Sequence, residues 1–163
     1  MNRRSPLLAA LLLLSCAPLP GSRGDADRDW PVTGGEPGNS RWSPLDQIDR
    51  GNVGRLALAW EYRTGDGPRG QMQATPIVVD GVLYSTSSAL KAFALRADTG
   101  EEIWRFDPTT DGASPGGSVN RGVVYWESGG DRRILYAVGR RLYALDAATG
   151  APVRSFGRGG WAD

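Results

Sequence analysis

A seven-residue segment recurs fifty positions downstream of itself: Ala94-Leu95-Arg96-Ala97-Asp98-Thr99-Gly100 is answered by Ala144-Leu145-Asp146-Ala147-Ala148-Thr149-Gly150. A period of this length means a modular fold, in which one supersecondary unit is used more than once. The flanks align as well. Val82-Leu83-Tyr84 answers Ile134-Leu135-Tyr136, and Ile103 and Phe106 answer Val153 and Phe156. Apolar residues alternate or cluster over about four to six positions between Gly, Asp, Asn and Ser, which predicts short strands and not helices.

The first unit offers strands over Pro76 to Val79, Val82 to Ser85, Ala92 to Leu95 and Ile103 to Phe106, with Asp80-Gly81 as a two-residue hairpin turn. The second offers Val123 to Trp126, Ile134 to Val138, Leu142 to Leu145 and Val153 to Phe156. Each unit has the size of a four-stranded propeller blade. Ahead of both lies Leu56 to Arg63, in which Leu58, Trp60 and Tyr62 share one face of an expected strand that has no unit of its own.

The repeated turn has a physical logic. An Asp side chain hydrogen-bonds the backbone of a tight turn, Thr supports it, and Gly takes the positive φ that closes it. The small Ala leaves room for an indole four residues past the Gly, here Trp104. By this reading each copy is incomplete: Arg96 stands in place of the Asp in the first, and Arg154 in place of the Trp in the second. Trp60, Trp104 and Trp126, all on expected strands, read as packing between blades.

Known propellers close with about four to eight blades, and an open array exposes sheet edges. The expectation is therefore an all-β chain that supplies the N-terminal part of a longer propeller, about two blades plus an N-terminal closing strand, and that does not fold stably alone.

Asn2-Arg3-Arg4 followed by the apolar run Leu7 to Leu14 reads as a secretory leader too short to span a membrane. Its end, Leu13-Leu14-Ser15-Cys16, resembles a lipobox, which divides the chain into a leader over 1–15, a flexible tether over 16–29 and a propeller portion over 30–163. Lipidation at Cys16 and ordinary cleavage between Cys16 and Gly24 are both consistent with the residues. Either places the mature chain in the periplasm, with a membrane anchor in the first case.

Cys16 is the only cysteine and there is no histidine, so this stretch holds no Ser-His-Asp or Cys-His nucleophile, no zinc ligand set and no internal disulfide. The formal charge of +1 falls to −1 once Arg3 and Arg4 leave with the leader. No basic patch remains for nucleic acid.

Trp30, Gly34-Gly35, Asn39 to Ile48, Asn52-Val53, Ala59-Trp60, Tyr62 and Thr64-Gly65-Asp66 resemble the opening of pyrroloquinoline quinone (PQQ)-dependent dehydrogenases, and Gln73 to Pro76 and Asn120 to Trp126 continue the match. The resemblance implies an eight-bladed propeller that holds PQQ, usually with Ca²⁺, and oxidises an alcohol or sugar hydroxyl, with a quinone or cytochrome as electron acceptor. It places the general base and the Ca²⁺ ligands in blades outside this segment, so no catalytic or metal-binding residue is expected here.

Two residues carry over. Arg121 matches the position whose guanidinium pairs with a PQQ carboxylate, a task suited to its bidentate fork. Gln73 stands where the family often places a Glu near the cofactor, and keeps hydrogen-bonding capacity without the charge. The chain departs from the family at Pro115-Gly116, where alcohol-oxidising members carry a vicinal disulfide on one face of PQQ. That departure disfavours a methanol-oxidising subtype. Two other readings stand beside the enzyme: a noncatalytic propeller lipoprotein that scaffolds outer-membrane β-barrel assembly, and an enzyme relative that has lost cofactor binding.

Overall fold

The computed structural model describes residues 29–66, 71–114 and 119–163. The leader, Cys16, the tether up to residue 28 and the Pro115-Gly116 pair lie outside the described residues. Two four-stranded antiparallel sheets follow one another, each a simple meander. The first comprises β1 (Ile77–Val79), β2 (Val82–Thr86), β3 (Ala92–Arg96) and β4 (Glu102–Phe106); the second comprises β5 (Val124–Ser128), β6 (Asp131–Val138), β7 (Arg141–Asp146) and β8 (Trp161–Ala162). Short 3-10 turns at Val53–Arg55 and Pro108–Asp111 are the only helical residues described.

Local chemistry explains the elements. Asp80 and Gly81 take φ of 50° and 73°, the paired positive values of a tight hairpin turn matched to strand twist. Strand β3 is buried at Ala92, Phe93, Ala94 and Leu95, as expected of an inner strand covered on both faces. Between the sheets Tyr84 and Tyr125 approach to 6.3 Å, and Phe106 meets Tyr136 edge-on at 6.3 Å and Tyr143 at 5.3 Å. These aromatic contacts join the two blades into one core.

Trp104 packs between the blades as expected, but the expectation that Arg154 leaves the second turn without its tryptophan is overturned. Trp104, on β4 of the first blade, does not pack on its own turn. Its indole N–H donates to the Ala147 carbonyl at 2.9 Å, and its ring lies over Gly150 in the second blade. The turn of the first blade is filled from upstream, with the Trp60 indole donating to Ala97 at 3.2 Å and covering Gly100. Each turn thus has its tryptophan, supplied by the chain that precedes it in space, and Arg154 leaves no gap. A Cβ on Gly100 or Gly150 would sit 2.5 Å from the indole, so both glycines are required for this close approach as well as for their positive φ.

The Asp half of the expectation holds. Asp146 Oδ1 accepts from the amides of Ala148 and Thr149 and from the Thr149 hydroxyl, whereas Arg96 reaches out to Asp98 and gives its own turn no such support.

Two strand expectations need correction. Residues 154–156 form turns, and the fourth strand of the second blade is instead Trp161–Ala162, paired with Tyr143 and Leu142. The chain touches β7 once at Pro152, turns out through Gly157 to Gly160, and returns. Gly160 permits this: its φ is 122° and a Cβ there would meet Pro152 at 2.5 Å. Trp161 then lies beneath Arg141, whose guanidinium is 4.1 Å from the ring centre. Residues 56–63 form no strand ladder, and Leu58 is 80% exposed. Side chains hold this segment and the residues just after it: Trp60 as above, Tyr62 against Phe93 with centroids 4.9 Å apart, and Asp66 on Lys91 at 3.0 Å. Trp126 also departs from expectation, being partly exposed with Arg133 over its ring and not buried between blades.

Candidate functional site

The first strands of the two blades come together at their starting ends. The Thr75 amide donates to the Arg121 carbonyl at 3.0 Å, and Thr75 bridges Gly122 in parallel. Because Thr75 leads into β1 and Gly122 into β5, this one backbone contact brings both residues expected at a ligand, Gln73 and Arg121, to the same rim of the blade pair.

Gly122 makes the contact feasible. Its φ is 149°, and a Cβ would lie 3.0 Å from the Thr75 carbonyl oxygen. The residue on the other side of Arg121 completes the anchorage. Asn120 Oδ1 accepts from the Gly122 amide at 2.7 Å and from the Thr86 hydroxyl at 3.2 Å, while Nδ2 donates to the Ala137 carbonyl at 3.0 Å. Thr86 is buried at the end of β2, and Ala137 lies on β6, so one amide ties the Arg121 turn to both blades.

Arg121 itself is exposed and forms no ion pair with a described residue. A pinned backbone carrying a guanidinium with no carboxylate partner among the described residues suits an anionic ligand at this rim, since the Arg fork matches a carboxylate. Gln73 is exposed too. Its amide donates to Gln71 at 3.3 Å, and no hydrogen bond joins it to Arg121. The structure thus brings the two to one edge without linking their side chains. Asn120 and Thr86 escaped the sequence reading, because an Asn beside a Gly signals a turn in general and nothing in the sequence couples it to a Thr 34 residues away.

Among the described residues no group of three His, Cys, Asp or Glu side chains converges to hold a metal ion. The opposite rim has a different character. A groove of about 330 Å³ runs between the Asp80 hairpin and Ala147-Ala148, lined also by Tyr84, Ile103 and Tyr125. Arg132 bridges Asp80 and Glu127 there, each at 3.3 Å. Burial, reinforced by the Asp80 charge, pushes the Tyr84 phenol up to about 12. A phenol so hard to ionise, donating to the Ala147 carbonyl, serves the interface and offers no base.

A family model described as "PQQ: Glucose/ethanol/alcohol dehydrogenase, beta-propeller domain" matches residues 30–163. The quinohemoprotein alcohol dehydrogenase ADH-IIG of Pseudomonas putida is 39% identical over 162 residues, covering 88% of this chain and 22% of its own length. The dehydrogenase subunit of a quinone-dependent alcohol dehydrogenase from Gluconacetobacter polyoxogenes is 42% identical over 136 residues, covering 80% of this chain and 18% of its own. The crystal structure of quinohemoprotein alcohol dehydrogenase from Comamonas testosteroni superimposes with a TM-score of 0.65 at 38% identity, over 77% of this chain and 18% of that one. The chain spans about a fifth of the length of these relatives.

Proposed function

Because the chain belongs to the β-propeller family of PQQ-dependent glucose, ethanol and alcohol dehydrogenases, we propose that it supplies the first two blades of a periplasmic quinoprotein that oxidises an alcohol and passes the electrons to a quinone or a cytochrome. The observation that carries this reading is the Arg121 rim, where a guanidinium without a carboxylate partner among the described residues stands on a backbone pinned to both blades. An alcohol is favoured over a sugar because the relatives described above are named for alcohol oxidation. The quinone acceptor is supported by the name of the G. polyoxogenes relative.

When bound, PQQ supplies the two-electron acceptor for the substrate carbon. This chain's part is binding. Arg121 would hold a carboxylate of the cofactor by paired charge-assisted hydrogen bonds, and Gln73 would offer a neutral amide at the same rim. With a single cysteine, Cys16, this stretch places no disulfide on the cofactor. The base and the ligands for Ca²⁺ would come from other blades of the full-length protein. The leader over 1–15 would direct export, and lipidation of Cys16 would anchor the protein to the membrane.

The test is alcohol-dependent reduction of an artificial electron acceptor by the full-length protein, measured with and without PQQ and Ca²⁺. Activity that requires PQQ supports the reading. A folded full-length protein that turns over no alcohol, sugar or other hydroxyl compound in the presence of both would contradict it.

A further inference from the structure

Asn120 makes three side-chain hydrogen bonds, two accepted by its oxygen, from the Gly122 amide and the Thr86 hydroxyl, and one donated by its nitrogen, to the Ala137 carbonyl. The partners come from three places: the residue beyond Arg121, the end of β2 in the first blade, and β6 in the second. Arg121 lies between Asn120 and Gly122, so the two residues flanking it are clamped to each other while its own carbonyl is held by the Thr75 amide. No other side chain fits all of these demands. Asp lacks the donor that Ala137 needs, Ser lacks the reach, and Gln adds a methylene that the 2.7 Å contact to Gly122 does not accommodate.

We infer that Asn120 is a positioning residue for the ligand-binding guanidinium: it fixes the direction in which Arg121 leaves the blade seam, and Thr86 in turn fixes Asn120. This inference rests on the reading of Arg121 as the cofactor's carboxylate partner. A ligand held by one guanidinium gains from having that group ordered beforehand, because the ordering cost is then met in folding and not in binding. Outer partners that orient metal ligands typically cost about 10- to 100-fold in affinity when removed, and Asn120 stands in the same relation to the Arg121 guanidinium.

The test is a double-mutant cycle on the full-length protein, read as the dissociation constant for PQQ from a titration of the apoprotein, with thermal unfolding in parallel. Arg121→Ala should weaken PQQ by about 30-fold, the loss of charge-assisted hydrogen bonds. Asn120→Ala should weaken it by about tenfold. The double variant should bind no worse than Arg121→Ala within about twofold, since Asn120 has nothing left to position. Thr86→Val, nearly isosteric and outside the turn, should weaken PQQ a few-fold in the same direction, and carries the test if Asn120→Ala fails to fold. Losses that multiply in the double variant, or an Asn120→Ala protein that unfolds at lower temperature yet binds PQQ as the parent does, would overturn the positioning role while leaving Arg121 in place. An Arg121→Ala protein that binds PQQ unchanged would instead overturn the reading of the rim and the positioning role with it.

Discussion

Trp104 donates its indole N–H to the Ala147 carbonyl, 2.9 Å away and 43 residues on, in the turn of the neighbouring blade. The same arrangement joins Trp60 to Ala97. The tryptophan that the second turn lacks in sequence is supplied in space from upstream, and each turn is a socket for an indole from the segment before it. Stability is therefore shared between successive blades, as in other repeat folds.

Trp104→Ala should cost about 3–5 kcal/mol in denaturant unfolding of the full-length protein, the usual penalty for emptying a large buried aromatic site. Trp104→Phe keeps most of the packing and loses the hydrogen bond, leaving the Ala147 carbonyl with only the Tyr84 phenol as partner, for about 1 kcal/mol. Equal losses for the two variants would count against the socket.

Arg96→Asp should stabilise the protein by about 0.5–1 kcal/mol. The second turn shows what the first lacks: a carboxylate accepting from two amides and a hydroxyl. The exposed Arg96 to Asp98 pair lost in exchange contributes little. A rise in the urea midpoint at unchanged slope is the expected result, and a fall would show that the first turn is built differently.

Asp66 ties the segment over 56–66 to the first blade. Its side chain is 1% exposed, its Oδ1 lies 3.0 Å from the Lys91 ammonium, and its Oδ2 accepts from the Ala89 amide at 2.9 Å. Burial alone would raise its pKa, but hydrogen bonds from Ser87, Ala89 and Lys91, with the Lys91 charge, hold it below the ordinary value of 3.8. A folded-state value below the unfolded one gives stability that is fully present above the ordinary carboxylate range and is lost as pH falls through the folded value. Unfolding temperature should thus drop for the parent as pH falls below about 4, with a smaller drop for Asp66→Asn. At neutral pH Asp66→Asn should cost about 1.5–3 kcal/mol. Parallel pH profiles for the two proteins would show that Asp66 is not the group that titrates.

Much of the fold was legible because strand periodicity and the repeated turn are local signals. Seven of the nine expected strands lie where alternation and the Asp80-Gly81 turn place them, and the two that do not are Val153 to Phe156 and Leu56 to Arg63. The expectation at Val153 to Phe156 failed because apolar spacing there looks like that of Ile103 to Phe106, while the glycines among 157–160 let the chain leave the sheet and return at Trp161. Leu56 to Arg63 alternates as a strand should, yet a ladder needs a partner strand, and side-chain anchors alone hold it here. At the candidate site, Arg121 and Gln73 were singled out through resemblance to a family motif, and the structure places both beside the Thr75 to Arg121 contact. The hydrogen bonds around the Arg121 turn were not legible, because their parts are Asn120, Thr86, Thr75 and Ala137, which lie far apart in sequence and are ordinary in type.

In the proposed function the blade seam presents Arg121 to a carboxylate of PQQ. The most direct test is an absorbance titration of PQQ, with Ca²⁺ present, into the full-length apoprotein and its Arg121→Ala variant. Saturable binding to the parent, weakened by about 30-fold in the variant at unchanged thermal stability, is the predicted result. Equal affinity of the two folded proteins for PQQ, or no binding by either, would contradict it.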